Sequence, residues 1–291
     1  MSTSLLFIIN PIAGGSANRP DAALIDHKFK NSGVDYKIVF TTGPGHAGVL
    51  AREAAAAGVS TVVAAGGDGT VNEAATGVYG SATRLGIIPC GSGNGLARHH
   101  HIPLRFAEAL DVIEKGKTVA HDATRINDKL SFNVSGIGFD AHVANLFGSD
   151  GKRGFSGYLK LVVTEFSNYH PHLFTVTDGN SRFEYKGFFM AIGNASQYGN
   201  GARIAPDAST QDGLVDFTVI LPLRGYAVPG VALKVFTGTV KKSRYANTFR
   251  SNKITLTCEP PAPLHIDGEP GGTFGRFTIA CESDKLQLIV P

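Results

Sequence analysis

Val59-Ser60-Thr61-Val62-Val63-Ala64-Ala65-Gly66-Gly67-Asp68-Gly69-Thr70 is the stretch that decides the fold. Its β-branched, apolar first half predicts a buried parallel strand, and Val71-Asn72-Glu73-Ala74-Ala75 after it predicts the start of a helix. The glycines let the backbone approach a polyanion, and the helix start offers N–H groups and the positive end of its dipole. The stretch therefore predicts a phosphate site. Because a carboxylate is unexpected there, we expect Asp68 to serve a metal-bound water, a substrate hydroxyl or backbone N–H groups of the turn.

The segments around this stretch alternate between strands and helices. Strands are predicted at residues 5–9, 34–40 and 85–89, and helices at residues 45–58 and 106–115. This alternation predicts a Rossmann-like α/β domain with a mostly parallel sheet, in which ligand loops collect at the carboxyl ends of the strands. Four loops are then expected on one rim, at Asn10, Thr42, residues 66–70 and residues 91–94.

From about His121 onward, strand patterns dominate the chain. One helix is predicted at residues 157–169, and strands are predicted at residues 132–139, 173–177, 183–192, 214–221, 253–258, 277–280 and 286–290. We therefore predict an α/β nucleotide-binding domain over residues 1–122 and a β-rich domain over residues 123–291. The sequence leaves open whether the final strand returns to the first domain.

The composition limits the classes of function. The chain has 291 residues, 43% of them hydrophobic, and its formal net charge of +3 is too small for a typical nucleic-acid-binding protein. It contains no apolar run of about 18 residues and starts without a basic, cleavable leader, so we expect a cytoplasmic protein. The three cysteines, Cys90, Cys258 and Cys281, are too widely spaced to suggest a disulfide framework or a zinc site.

Two other patterns are given structural interpretations. His99-His100-His101 is expected on a solvated loop rather than in a metal site, because adjacent side chains point in different directions. Gly136-Ile137-Gly138-Phe139-Asp140-Ala141 lacks the third glycine of a dinucleotide fingerprint, and it predicts a turn from a strand into a helix.

Taken together, the motifs resemble the diacylglycerol kinase catalytic domain family, the bacterial lipid kinases related to sphingosine kinases. The matching segments are Asn10-Pro11 with Gly14-Gly15, Gly66-Gly67-Asp68-Gly69-Thr70-Val71-Asn72-Glu73, Pro89 with Gly91-Ser92-Gly93-Asn94 and Leu96-Ala97-Arg98, Asn133 with Gly136-Ile137-Gly138-Phe139-Asp140, and Asp212-Gly213-Leu214. The resemblance implies an α/β nucleotide domain, a C-terminal β-sandwich domain and an active site in the cleft between them. It further implies transfer of the γ-phosphoryl group of ATP, with Mg²⁺, to a hydroxyl of a lipid such as diacylglycerol.

The resemblance also implies roles for individual residues. Asp68 would lie at the reaction centre and reach the phosphates through magnesium and water, and Glu269 would be the general base. Asp267 competes with Glu269 for that role, and either carboxylate could instead cap its turn. The expected nucleotide contacts are Asn10, Thr42, Gly66, Gly67, Asp68, Gly69, Thr70, Asn72, Glu73 and Ser92.

A magnesium site is implied at Ser209, Asp212 and Leu214, where three carboxylates lie within ten residues. A hydrogen-bonded turn explains the same segment equally well. The chain departs from many bacterial members at Gly95, where they carry Asp, and at Ser92, where they carry Thr. The form Gly91-Ser92-Gly93-Asn94 is similar to the sphingosine kinase branch.

The expected partners follow from the lipid acceptor. They are the lipid substrate and a peripheral membrane surface, which the basic runs Lys152-Arg153 and Lys241-Lys242-Ser243-Arg244 would help to bind, although each run could also be an ordinary solvated face. A homodimer is compatible with the sequence, and no nucleic acid is expected. The alternatives are a soluble-substrate kinase of the NAD kinase type, a sphingoid-base lipid kinase, and a nucleotide-binding sensor without turnover.

Overall fold

The computed structural model describes residues 4–14, 19–149, 161–162 and 164–291. The chain divides into two compact units, one of Met1–Asp122 with Asp284–Pro291 and one of Ala123–Ser283. Gly15, Lys152 and Arg153 lie outside the described residues, as does part of the helix predicted at residues 157–169. The described part of that segment is helical at residues 161–162 and 164–166.

The first unit is an α/β layer built on a six-stranded sheet. The strand order is β2-β1-β3-β4-β16-β5, parallel throughout except that β5 runs antiparallel to β16. The strands are β1 (Ser4–Ile9), β2 (Asp35–Phe40), β3 (Thr61–Gly66), β4 (Arg84–Pro89), β5 (Lys117–His121) and β16 (Leu286–Val290). The helices are α1 (Ala22–Phe29), α2 (His46–Ala56), α3 (Asp68–Val78), α4 (Gly95–His99) and α5 (Phe106–Lys115).

Strand β3 lies near the centre of this sheet, and all six of its residues are buried. Helix α3 begins directly after it, at Asp68, three residues earlier than the predicted start at Val71. The first turn of α3 therefore contains Asp68, Gly69 and Thr70. Helices α2 and α3 pack closely because Gly77 has no side chain: a Cβ there would lie 2.6 Å from Cβ of Ala51.

The second unit is built on a ten-stranded sheet, whose strand pairs are all antiparallel. Its strands are β6 (Thr124–Ile126), β7 (Lys129–Ser131), β8 (Val134–Gly138), β9 (His172–Asp178), β10 (Ser181–Gly187), β11 (Phe189–Gly193), β12 (Val215–Ile220), β13 (Ala246–Ser251), β14 (Lys253–Ile266) and β15 (Glu269–Cys281). Besides the helical residues at 161–162 and 164–166, the described part of this unit contains helices α6 (Phe139–Ser149) and α7 (Val228–Phe236), with 3₁₀ turns at Gly225–Ala227 and Val240–Lys242.

The long strand β14 joins the two parts of this second sheet. Residues from Thr255 to Glu259 pair with β9, whereas Leu264 and His265 pair with β8. One register shift against β15 lies between Thr257 and Ala262 and a second lies between Leu264 and His265, and such irregularities bend and twist a strand. Buried side chains from both parts, including Leu256 and Leu264, share one apolar core with Phe174, Phe217 and Phe277.

The structure corrects some of the predicted strands and answers one question that the sequence left open. The single strand predicted at residues 183–192 is wrong, because β10 ends at Gly187 and β11 begins at Phe189. Strands β14 and β15 are far longer than the short runs predicted within them. The final strand β16 lies in the first sheet, between β4 and β5. The predicted turn at Gly136–Ala141 does lead from a strand, β8, into a helix, α6.

Candidate active site

Two glycine loops meet at the carboxyl ends of neighbouring strands. Strands β3 and β4 pair in parallel with Gly66 opposite Pro89, so the loops that follow them leave the sheet side by side. A Cβ on Gly91 would lie 2.7 Å from Cα of Gly67, a distance that no side chain tolerates. The two backbones therefore approach each other closely because position 91 lacks a side chain.

The carboxylate of Asp68 connects the two loops. Its Oδ2 accepts a hydrogen bond from the backbone N–H of Asn94, and its Oδ1 accepts one from the N–H of Gly95, each at 2.8 Å. These donors lie at the start of helix α4, where N–H groups have no partner within the helix. Asp68 thus binds backbone N–H groups, one of the roles expected for it, and those groups belong to the second loop rather than to its own turn.

The N-terminus of α3 is arranged like an anion site. The cap residue Gly67 supplies no side chain, and the helix extends over 11 residues, long enough for its dipole to act at the first turn. The side-chain amide of Asn10, just after β1, donates to Oγ1 of Thr70 at 3.1 Å. The structure therefore brings Asn10, Gly66, Gly67, Asp68 and Thr70 together at one edge of the sheet.

Glu73 and Thr42 organise the neighbouring loop. The two oxygens of Glu73 accept the backbone N–H groups of Gly45 at 2.7 Å and Ala47 at 3.1 Å, at the start of α2. The N–H of Thr42 donates to Nδ1 of His46 at 3.0 Å. Glu73 was predicted as a nucleotide contact, and its carboxylate here caps a helix, so it supports the loop that carries the exposed side chain of Thr42.

The second loop is held by its own contacts. Asn94 has a left-handed backbone conformation with φ of 52°, and its side-chain amide donates to the carbonyl of Gly91 at 2.7 Å. The guanidinium of Arg98 donates to the carbonyl of Gly93 at 2.9 Å. Ser92 is exposed on this loop, whereas Asn72 is half-buried within α3. Arg98 was part of the matching motif but was not predicted as a site residue, and it places a positive charge beside the loop.

The histidine run has a different environment from the one predicted. His99 ends helix α4, and the rings of His99 and His100 lie 4.8 Å apart, with His100 a further 5.1 Å from the fully buried ring of His121. The prediction of a solvated loop is wrong for His99 and His100, which are half-buried at the end of α4 near His121 of β5, whereas His101 is exposed as predicted. Burial, reinforced by the neighbouring histidines, lowers the pKa of His99 to about 4 and that of His100 to about 2. Burial likewise lowers the pKa of His121 to about 4, so all three rings are neutral near pH 7.

In the second unit, Glu269 follows a tightly anchored turn. The carboxylate of Asp267 is buried and accepts hydrogen bonds from Oγ of Ser131 at 2.6 Å, from N–H of Phe132 at 2.8 Å and from N–H of Asn133 at 3.1 Å. Asp267 therefore fixes the turn to the segment between β7 and β8. Glu269 is exposed at the first position of β15. Of the two carboxylates that competed for the role of base, only Glu269 is accessible to a substrate.

A second contact supports the same turn. Nδ1 of His265 accepts the backbone N–H of Gly268 at 3.1 Å, which leaves Nε2 as the protonated nitrogen, 3.3 Å from Oδ2 of Asp140. The same Asp140 oxygen accepts the hydroxyl of Tyr198 at 2.7 Å. This chain of contacts was not predicted from the sequence, because Asp140, Tyr198 and His265 are far apart along the chain.

The acidic segment predicted to bind magnesium contains a closed turn. Oδ1 of Asp212 accepts the N–H of Leu214 at 3.1 Å, and Oγ of Ser209 accepts the N–H of Gln211 at 3.4 Å. The guanidinium of Arg250 lies 2.8 Å from a carboxylate oxygen of Asp216 and 3.7 Å from one of Asp212.

Burial raises the pKa of Asp216, while its hydrogen bond to Arg250 acts in the opposite direction. A magnesium ion bound by Ser209, Asp212 and Leu214 stays a prediction, and it would have to compete with the positive charge that Arg250 already supplies. Among the described residues, no three side chains of His, Cys, Asp or Glu are grouped as a metal centre.

Comparison with known proteins identifies both units. Residues 4–126 match the diacylglycerol kinase catalytic domain, and residues 133–290 match the YegS C-terminal NAD kinase beta sandwich-like domain. A probable lipid kinase YegS-like from Klebsiella pneumoniae (strain 342) is 30% identical over 278 residues, covering 92% of this chain and 91% of that protein. One from Xanthomonas euvesicatoria is 29% identical over 292 residues, covering 96% of this chain and 94% of that protein.

Solved structures show the same fold. A putative diacylglycerol kinase from Bacillus anthracis str. Sterne aligns over 100% of this chain and 97% of its own, with a TM-score of 0.81 and 21% identity. An NAD kinase from Archaeoglobus fulgidus, solved in complex with ATP, aligns over 99% of this chain and 93% of its own, with a TM-score of 0.54 and 12% identity.

The class that these matches define is that of kinases with an alcohol group as acceptor. Within that class, the chain belongs to the diacylglycerol kinase catalytic domain family, among its YegS-like lipid kinases. The family and the fold class predicted from the sequence are thereby confirmed. The roles of the individual site residues stay predictions.

Proposed function

We propose that this protein transfers the γ-phosphoryl group of ATP to a hydroxyl of a lipid, with diacylglycerol as the first acceptor to test. The observation that carries the proposal is the pair of glycine loops after β3 and β4, joined by Asp68 and lying at the N-terminus of α3. Phosphoryl transfer depends on clamped phosphates and an aligned acceptor rather than on covalent chemistry by the protein. Two glycine loops that are joined by hydrogen bonds at a helix N-terminus are suited to clamping the phosphates.

On the nucleotide side, the residues have distinct tasks in this proposal. The N–H groups at the start of α3 and the glycines before it would hold phosphate oxygens, as helix N-termini do. Asn10 and Thr70 are linked by a hydrogen bond and would supply an amide and a hydroxyl at the same edge. Mg²⁺ would enter with the nucleotide and neutralise charge that develops on the phosphates. Asp68 would keep the second loop in place beside the phosphates through its two hydrogen bonds to backbone N–H groups.

On the acceptor side, Glu269 would take the proton of the lipid hydroxyl. An exposed carboxylate on a turn that is fixed by Asp267 and His265 is accessible and well positioned, two conditions for a general base. General-base catalysis contributes about 10² to 10⁴ in rate, which sets the effect expected on removing it.

The test is transfer of radiolabelled phosphate from ATP to detergent-dispersed diacylglycerol, with a sphingoid base and NAD as comparison acceptors. We expect Glu269→Gln to lower kcat by about 10² to 10⁴ while leaving the KM for ATP unchanged. Glu259→Gln, which neutralises another exposed glutamate of the second unit, should retain wild-type turnover.

Two outcomes would contradict separate parts of the proposal. An unchanged rate and pH profile for Glu269→Gln would remove Glu269 as the base. Phosphorylation of NAD without phosphorylation of any lipid would replace the lipid kinase with a kinase of the NAD kinase type.

A lipid acceptor also requires access to a membrane, so we propose that the protein associates with the membrane periphery. Across the described residues, no helix is long and apolar enough to cross a bilayer. Association would therefore depend on a surface of the folded protein.

A further inference from the structure

Helix α7 is mostly apolar in sequence but is not buried in the structure. Its sequence, Val-Pro-Gly-Val-Ala-Leu-Lys-Val-Phe, contains one charged residue in nine, yet no residue of the helix is buried. A helix that is apolar on all sides is normally enclosed by the rest of the protein. Here Val231 and Val235 pack on a small apolar cluster, which occupies one side of the helix.

The opposite side of α7 is exposed. Leu233 is 64% exposed, and Tyr226, in the 3₁₀ turn just before the helix, is 72% exposed. Phe236, three residues beyond Leu233, is 41% exposed. We refer to Tyr226, Leu233 and Phe236 as the α7 surface. Contiguous apolar surface of this kind usually marks an interaction site.

The chain segment that contains the α7 surface carries charges of a single sign. Residues 217–258 contain seven of the 27 Lys and Arg residues of the chain and none of its 24 Asp and Glu residues. Two of the seven, Lys241 and Arg250, pair with Asp207 and Asp216. The other five are Arg224, Lys234, Lys242, Arg244 and Lys253, and no described carboxylate lies within ion-pair distance of them.

This distribution of charge is local. The chain outside residues 217–258 has 20 basic and 24 acidic residues and is therefore net negative, although the whole chain has a formal net charge of +3. Lys242 and Arg224 are exposed, and Lys234 lies within α7 itself. Apolar side chains surrounded by cations are the pattern of segments that bind at the interface of an anionic bilayer.

The same charges argue against a second copy of this chain as the occupant. In a two-fold dimer the same patch lies on both sides of the contact, so the basic residues of each copy would face those of the other. An anionic lipid surface instead offers headgroups to the cations and acyl chains to Leu233 and Tyr226.

We propose that the α7 surface and the basic residues around it dock the protein on an anionic lipid bilayer. This inference rests on the proposed function in that a membrane-embedded acceptor gives docking its purpose. It concerns a surface of the second unit that includes none of the predicted site residues, so it can be tested without measuring turnover.

The test is flotation of the full-length protein with vesicles of phosphatidylcholine, alone or mixed with phosphatidylglycerol. We expect binding only to the mixed vesicles and weaker binding as the salt concentration rises. Lys242→Gln should weaken binding about fivefold, the effect of one cation near an anionic surface, and Leu233→Ser should weaken it about tenfold by removing apolar contact.

Matched controls show whether an effect depends on the α7 surface or arises from removing any exposed apolar or charged side chain. Phe183→Ser removes a side chain that is 47% exposed in β10, and Lys129→Gln removes an exposed cation in β7. Both should bind vesicles like the wild type. Since Lys242 is exposed, its variant keeps the test valid if Leu233→Ser lowers the thermal stability of the protein.

Three results would overturn the docking surface. One is the absence of wild-type binding to the mixed vesicles. Another is equal binding by wild type, Lys242→Gln and Leu233→Ser. The third is a change of molar mass on Leu233→Ser, measured by light scattering, with unchanged vesicle binding, which would assign the surface to a dimer.

Failure of the proposed function would look different. Phosphate transfer to detergent-dispersed diacylglycerol would be absent in the wild type, while vesicle binding would still depend on Lys242 and Leu233.

Discussion

Replacing Asp68 by asparagine preserves the size of the side chain but changes what its oxygens can do. The carboxylate accepts two backbone N–H groups, from Asn94 and from Gly95, both at 2.8 Å. The amide of the variant has one acceptor oxygen and one NH₂ group. In either orientation of the asparagine amide, its NH₂ group faces one of the two backbone N–H groups, and two donors cannot form a hydrogen bond with each other.

The size of the effect follows from these two contacts. A hydrogen bond to a charged group contributes about 1.5 to 3 kcal/mol, and a neutral one contributes about 1 kcal/mol. Asp68 is half-buried, so water can replace part of what is lost. Losing one charged bond and weakening the other should then lower the free energy of unfolding by about 2 kcal/mol. The second glycine loop should also become mobile, since Asn94 and Gly95 begin helix α4 beside it.

Three measurements on Asp68→Asn test this reasoning. Chemical unfolding gives the loss of stability, amide hydrogen exchange at Asn94 and Gly95 reports opening of the loop, and ATP titration reports the phosphate site. Asp35→Asn, which neutralises an exposed aspartate at the start of β2, is the matched control. If Asp68→Asn stays within about 0.5 kcal/mol of the control and exchange at both amides is unchanged, Asp68 does not hold the loops together. A loss of turnover alone would then favour its direct role at the reaction centre.

Two further predictions concern buried groups. Asp267→Asn should lower the free energy of unfolding by about 3 kcal/mol, because a buried carboxylate with three donors becomes an amide. Thermal unfolding measures this loss against the control Asp128→Asn, which changes an exposed aspartate. Lost turnover at wild-type stability would instead make Asp267 the base. The histidines should destabilise the protein in acid. Their pKa values of about 4 for His99 and His121 and about 2 for His100 lie below the usual 6.5, so the unfolded chain binds protons first as the pH falls. The free energy of unfolding should decline from pH 6.5 towards pH 4 by up to about 1.4 kcal/mol per pH unit for each histidine. Chemical unfolding at several pH values measures this decline, which should be less steep in His121→Gln. An equally steep decline in that variant would show that His121 does not contribute to it.

Much of the first unit could be predicted from the sequence because its signals are local. The buried strand β3, the glycines after it and the alanine-rich helix α2 each carry their own pattern over a few residues. The second unit was harder to predict. Its strands β14 and β15 are 14 and 13 residues long, and Pro260, Pro261, Gly271 and Gly272 inside them normally signal the end of a strand. Register shifts between the two strands accommodate these residues, and a register shift depends on the partner strand.

The site was predictable in its composition but not in its contacts. The glycines, Asn10 and Asp68 were expected on one rim, and they do lie together at the carboxyl ends of parallel strands. The partner of Asp68 could not be predicted, because Asn94 and Gly95 are 26 and 27 residues away and meet it only through the pairing of β3 with β4. For the same reason, Arg250 was missed as the cation of the Asp212 and Asp216 cluster.

The carboxylates of the candidate site divide into two kinds by what their oxygens contact. Asp68, Glu73 and Asp267 each accept two or more hydrogen bonds, mainly from backbone N–H groups, and so hold a loop, a helix start and a turn in place. Glu269 is exposed, beside the turn that Asp267 anchors. A general base must contact the substrate whose proton it takes, whereas the oxygens of Asp68, Glu73 and Asp267 face hydrogen-bond donors of the protein itself. The acidic residues of the candidate site therefore have different tasks, and we expect Glu269, whose side chain is exposed, to be the one that takes the proton of an acceptor hydroxyl.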